Sequence, residues 1–212
     1  MAATAISLKK GNRIDLKKEF PALKRARVVL TWRCNETNTG SDFDLDVTAF
    51  GLKNNDNGEP KLVGVLMPQA FEPIDFMVFY GHLTSVDGAI HHTGDEQSGF
   101  ASDDDGETIT IDFEKLRTDL VDEISFIVTI YEAPARRQNF GQVPHAAIRI
   151  YDDETSTLIA EYLLEEDFST ETAVQFGSIY KRPDGNYGFK AVGAGFNVGL
   201  DQFVKTYGGT VA

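Results

Sequence analysis

The stretch Ile124-Ser125-Phe126-Ile127-Val128-Thr129-Ile130 decides the fold class. Side chains of a strand alternate between its two faces. Ile124, Phe126, Val128 and Ile130 therefore share one face, and Ser125, Ile127 and Thr129 share the other. The pattern recurs outward from this run. Residues 27–32 set Val28, Leu30 and Trp32 against Val29 and Thr31. Phe43, Leu45 and Val47 alternate with Asp44 and Asp46, and Ile109, Ile111 and Phe113 alternate with Thr110 and Asp112. Residues 147–151 and 158–163 flank a polar stretch and read as a hairpin. Residues 173–180 and 187–192 flank Lys181-Arg182-Pro183-Asp184-Gly185-Asn186 and read as another. Many strands joined by short turns predict an all-β fold, an antiparallel β-sandwich with a few short helices. One helical turn is expected within 112–120 and a last helix over 200–207, ended by Gly208-Gly209. A chain of 212 residues suits a single domain. Within it, residues 54–73 read as an insertion or an extra edge hairpin.

The net charge is −13. That argues against a direct nucleic-acid partner, which needs clustered Lys and Arg. An anionic membrane would repel such a surface unless cations bridged it. Residues 42–107 contain fourteen acidic side chains and two lysines, so one third of the chain holds −12 of this charge. Such crowding is self-repulsive unless the acids point apart into water or cations offset them. Cys34 is the one cysteine, which rules out an intramolecular disulfide and a thiolate zinc site. It reads as a half-buried strand residue. Residues 1–16 lack a charged start followed by a long apolar stretch, so we expect no secretory signal. No run approaches the ~20 apolar residues of a membrane helix. The expected compartment is the cytoplasm.

Asp42, Asp44 and Asp46 fall on successive same-face positions of a strand, ~6.5–7 Å apart. Two such carboxylates can converge on one hard cation while Phe43, Leu45 and Val47 anchor the opposite face. Downstream lie His91-His92-Thr93-Gly94-Asp95-Glu96-Gln97-Ser98-Gly99 and Ser102-Asp103-Asp104-Asp105-Gly106-Glu107. These glycine-bearing loops are rich in oxygen donors, which suits calcium with its six to eight oxygen ligands better than magnesium. The pattern is not an EF-hand. Counted from Asp42, the sixth position is Val47 and the twelfth Lys53, where glycine and glutamate are needed. From pattern alone, a calcium site and a bare solvated acidic face both stay open.

Other motifs carry less. Residues 192–199 space their glycines wrongly for a dinucleotide fingerprint and read as a glycine-rich turn. His82, His91, His92 and His145 share no metal-ligand spacing and read as loop-packing residues. Arg136 and Arg137 sit in a polar loop without an assigned use. Paired carboxylates could serve glycoside hydrolysis, but no sugar-binding cleft can be read here.

At these residues the chain resembles the TerD family of tellurium-resistance and stress proteins. The resemblance rests on Phe43-Asp44-Leu45-Asp46, on Asp75-Phe76 with Phe79-Tyr80 and Leu83, and on His92-Thr93-Gly94-Asp95. Further blocks run from Ala135-Arg136-Arg137-Gln138-Asn139-Phe140-Gly141-Gln142-Val143 to Asp167-Phe168-Ser169-Thr170-Glu171-Thr172-Ala173 and Ala191-Val192-Gly193. Ile6-Ser7-Leu8-Lys9-Lys10-Gly11 is similar to the family's opening strand. The resemblance implies a calcium-binding β-sandwich without catalytic activity, associated with resistance to tellurite, phage and some colicins. It implies more than one Ca2+ ion, held by Asp44, Asp46, Asp95, Asp105 and Glu107, with Asp42, Asp103 and Asp104 beside them and Leu83 at a further ligand position. It also implies other Ter-type proteins as partners, with a TerC-like protein that would bring the chain to the inner face of the membrane. Two departures stand out. Gly81-His82 replaces paired asparagines before Leu83, and Asp104-Asp105-Gly106-Glu107 shifts the glycine of the acidic loop.

The first expectation is thus a calcium-dependent scaffold. Its rivals are a metal-dependent hydrolase using the aspartate cluster and a calcium-bridged membrane-surface binding module.

Overall fold

The computed structural model describes residues 6–7, 9–33, 40–63, 76–97, 106–164 and 168–211. In chain order the strands are β1 (Ile6–Ser7), β2 (Arg13–Asp15), β3 (Arg25–Thr31), β4 (Leu45–Asn54), β5 (Pro60–Leu62), β6 (Met77–Val78) and β7 (Ile90–His92). They continue with β8 (Glu107–Asp112), β9 (Glu123–Ile130), β10 (Ala147–Asp152), β11 (Thr157–Leu163), β12 (Ala173–Lys181) and β13 (Tyr187–Phe196). Three short helices accompany them, α1 (Leu16–Glu19), α2 (Ala133–Arg136) and α3 (Leu200–Thr206).

The strands form two sheets. The first runs β1-β11-β10-β3-β8-β7 and the second β2-β13-β12-β9-β4-β5, with β6 also paired to β4. Every pairing is antiparallel except β1 with β11. The alternation in the sequence sets the inner faces. Val28, Leu30 and Trp32 from the first sheet meet Leu45, Val47, Phe126 and Val128 from the second in one buried cluster. Phe126 stacks on Phe176 at 5.6 Å between ring centres. Each large apolar side chain fully buried in this way contributes roughly 1.5–3 kcal/mol.

Ile127 breaks the polar face of β9, and the fold explains it. A second cluster lies on the outer face of the second sheet, where Phe50, Leu52 and Ile127 are covered by Phe203, Val204 and Tyr207 of the α3 segment. The Phe50 and Tyr207 rings lie 5.2 Å apart. The Tyr207 carbonyl accepts the Leu62 N–H at 3.0 Å and so fastens β5 as well.

Both predicted hairpins form, as β10–β11 and β12–β13. After β8 ends at Asp112, the expected helical turn is present as single turns, with Leu116 N–H on the Asp112 carbonyl at 3.2 Å and Val121 N–H on that of Arg117 at 2.9 Å, but they do not extend into a helix. There Asp112 accepts the N–H groups of Glu114 and Lys115, closing an Asx-type turn that competes with a helix. The glycine-rich residues 192–196 extend β13 and make no turn. A Cβ at Gly195 would collide with Phe168 and Glu171, so glycine is there to admit a neighbour. Of the segment 54–73 read as an insertion or an extra edge hairpin, the described part pairs β5 with the end of β4 at the sheet edge, closed by Asn55 Oδ1 accepting from Asn57 N and Glu59 N. Residues 64–75 and Cys34 lie outside the described residues.

Candidate metal centre

Phe43, Leu45 and Val47 point into the core. Their alternation turns Asp44 and Asp46 to the opposite face of the second sheet, near the start of β4. Both carboxylates are nevertheless buried, at 6% and 4% exposure. Tyr80, Asp95, Gln97, Tyr131 and Arg136 close over them and leave a cleft of about 210 Å3. One oxygen from each of Asp44, Asp46 and Asp95 can be chosen so that all three lie within 4.8 Å of one another.

Asp95 reaches the cleft through a built turn. The His92 ring is buried, and its Nδ1 accepts the Gly94 N–H at 2.9 Å, which assigns the ring proton to Nε2. Gly94 has φ +111°, a conformation that L side chains rarely adopt. The chain therefore bends after His92, and Asp95 comes to face β4.

Glu107 stands behind the cluster. It is 1% exposed. Its Oε2 accepts the Val47 N–H at 2.9 Å and its Oε1 accepts the Glu96 N–H at 3.2 Å. β6 pairs β4 only at Ala49 and Phe50, so the Val47 N–H has no strand partner on that side and takes a side-chain acceptor. His92 Nε2 lies 3.5 Å from Glu107 Oε2. Gly106 lets β8 start close to β3, because a Cβ there would strike the Leu30 carbonyl.

The remaining wall is the segment after β9. Tyr131 N–H donates to the Asp44 carbonyl at 2.8 Å. Gln138 Nε2 donates to the carbonyls of Ser41 and Asp42 at 3.0 and 3.1 Å. Arg136 packs over the Tyr131 ring at 5.0 Å and places Nη1 3.5 Å from Asp44 Oδ2. On the core side, Trp32 Nε1 donates to the Phe43 carbonyl at 2.9 Å.

The electrostatics follow from burial and like charge. Burial, then Glu107, Asp44 and Asp95, push the Asp46 carboxyl up to about 8. Burial also raises Asp44 to about 6, with Arg136 opposing the rise. Burial and then Asp46 raise the Tyr80 hydroxyl. Ionised carboxylates this close are unfavourable without an opposing positive charge. The three converging groups are all carboxylate oxygens, a donor set for a hard cation such as calcium.

The structure thus brings together Asp44, Asp46 and Asp95, with Glu107 at their back. Asp42 and Asp44 both precede β4, which begins at Leu45, but Asp42 is exposed where Asp44 is buried, and it is not one of the three converging carboxylates. Leu83 is an exposed side chain whose carbonyl accepts the His92 N–H at 2.8 Å. Asp103, Asp104 and Asp105 lie outside the described residues. Sequence reasoning missed Tyr80, Tyr131 and Arg136 as cleft walls and His92 as the support of the turn. Tyr80 and Arg136 sat inside quoted motifs, but nothing in their spacing announced a shared cleft.

Fold and cleft define a class: an antiparallel β-sandwich protein with a cluster of buried carboxylates at one end. Among the described residues no helix is long and apolar enough to cross a membrane. Residues 4–207 match the TerD domain, and the chain belongs to the TerD family. It is 43% identical over 204 residues to a tellurium resistance protein TerD of Serratia marcescens, covering 96% of this chain and 97% of that protein. It is 38% identical to general stress protein 16U of Bacillus subtilis, covering 96% and 97%. A crystal structure of a TerD homologue from Streptomyces coelicolor superposes with a TM-score of 0.66 at 18% identity, over 86% of this chain and 95% of that one, and shares its fold. These named relatives are resistance or stress proteins, none of them named as an enzyme.

Proposed function

We propose that this chain is a non-enzymatic calcium-binding stress-response protein that acts as a cation-dependent scaffold. The observation that carries the reading is the convergence of Asp44, Asp46 and Asp95 within 4.8 Å, two of them buried. These three would hold the ion, with Asp42, Asp103, Asp104 and Asp105 as further proposed ligands. Calcium bound there would supply positive charge that the cleft, among the described residues, otherwise takes from Arg136. The residues do the rest. Asp46 and Asp44 belong to the β4 end of the second sheet, and Asp95 belongs to the turn after β7 of the first. An ion shared among them ties the two sheets at one end and fixes the surface bearing Tyr80, Leu83 and Tyr131.

That surface is the proposed contact for other Ter-type proteins, and through a TerC-like membrane protein for the inner face of the membrane. The relatives' names support a role in tellurite resistance or general stress. The family resemblance extends it to phage and colicin resistance and to the cytoplasm.

Trp32 supplies the test, because it is the sole tryptophan and bonds to the carbonyl just before Asp44. Calcium added to chelator-stripped protein should change its emission saturably, and Asp46→Asn should abolish the change. An identical response in that variant would refute this site.

A further inference from the structure

We propose that Arg136 is the built-in counter-cation of the carboxylate cleft and limits its affinity for an added cation. The inference rests on the metal reading of that cleft and concerns what competes with the ion. Among the described residues, the ion pair of Asp44 is with Arg136. The contact is a single approach of 3.5 Å. The bidentate fork that Arg117 makes to Asp119, at 2.8 and 2.6 Å, shows what a locked pair looks like in this protein. Arg136 has a second anchor besides Asp44, the Tyr131 ring under its guanidinium at 5.0 Å, and Glu132 lies 4.0 Å from its Nε.

The backbone around it is built for this placement. α2 is four residues long and is bracketed by Glu132 at φ 49° and Arg137 at φ 55°. Both are non-glycine residues in the left-handed region, which costs each of them of order 1 kcal/mol. Four such residues occur among the described ones, and two of them bracket this helix. Gln138 holds the segment by its two bonds to the carbonyls of Ser41 and Asp42, separated from Asp44 by Phe43. Ala133, 2% exposed, plugs it into the core. Arg137 closes α2 as its C-cap, its N–H directed at the Ala133 and Pro134 carbonyls, and the last helical residue, Arg136, is thereby set facing Asp44.

A cation between the three aspartates and a guanidinium on Asp44 repel each other and compete for the same carboxylate. Binding therefore displaces Arg136 from Asp44 and frees its guanidinium toward solvent beside Tyr131. A merely structural Arg136 predicts the opposite result on removal, because a loosened cleft binds the ion less well.

The test is calorimetric titration of wild type, Arg136→Gln and Arg136→Lys with Ca2+, each variant first checked for an unchanged fold by its melting curve. Arg136→Gln should bind calcium about tenfold more tightly than wild type, and Arg136→Lys should stay near wild type because it keeps the charge. The side-chain Nε–H resonance of Arg136, identified by its loss in Arg136→Lys, should shift when calcium saturates the wild type. Binding by the wild type with equal or weaker binding by Arg136→Gln overturns this inference and leaves the metal site standing. No binding by wild type or either variant overturns both.

Discussion

Glu107 Oε2 accepts the backbone N–H of Val47 at 2.9 Å, so a side chain of the first sheet completes the hydrogen bonding of a strand in the second. The other oxygen of the same carboxylate accepts the Glu96 N–H, next to Asp95. One buried residue thus holds both halves of the candidate metal centre, Asp46 through β4 and Asp95 through its turn. This is a positioning role, and it is available whether or not Glu107 also touches an ion.

Truncating Glu107 tests that role. Glu107→Ala leaves two N–H donors without their acceptor and should destabilise the protein by about 2–4 kcal/mol. Glu107→Gln keeps one acceptor oxygen and should cost about half as much. Urea denaturation measures both. Calcium affinity should fall in the same order.

Gly94→Ala places a Cβ at φ +111° in the turn that carries Asp95. The expected stability loss is about 1–3 kcal/mol. The loss of calcium affinity should be proportionally larger than in other turns, because the strain relaxes by moving Asp95. Gly58→Ala, at φ +77° in the β4–β5 turn, is the matched control and should leave affinity unchanged.

The raised carboxyls set a pH dependence. The folded Asp46 holds its proton up to about 8, against 3.8 for an ordinary aspartate. Between those values the folded state binds more protons than the unfolded one, so calcium-free stability falls as the pH rises through that window. Asp44 adds to the slope up to about 6. Asp46→Asn should flatten it and raise calcium-free stability at pH 8 by about 1–3 kcal/mol. It should also remove the stabilisation that calcium gives, which at one hundred times Kd is about 2.7 kcal/mol. Melting temperatures across pH 5–8, with and without calcium, decide this.

The α3 cap is a control for the fold alone. Tyr207→Ala opens the cluster around Phe50 and should destabilise by about 3 kcal/mol. Calcium affinity measured below the melting transition should not change.

Legibility in the sequence divides by range. The inner faces were readable because alternation is local: Ile124, Phe126, Val128 and Ile130 could have nowhere else to point. Ile127 was readable only as an oddity, since the α3 segment that covers it lies more than seventy residues away. Asp44 and Asp46 were legible as a pair on one strand, and the motif around Asp95 drew attention to it. That these three meet depends on how two sheets pack, which no local pattern encodes. Asp42 looked equivalent to Asp44 by spacing, but the strand starts after both of them and only Asp44 is drawn inward. Glu107 read as one more ligand. Its neighbours Val47 and Glu96, distant in sequence, are what make it a clamp.

The central claim is that Asp44, Asp46 and Asp95 hold calcium. A crystal structure of the protein grown at saturating calcium tests it most directly. The account predicts one ion bound by oxygens of all three residues, with Arg136 drawn away from Asp44. A cleft without an ion under those conditions, or calcium bound only elsewhere on the acidic surface, would contradict it.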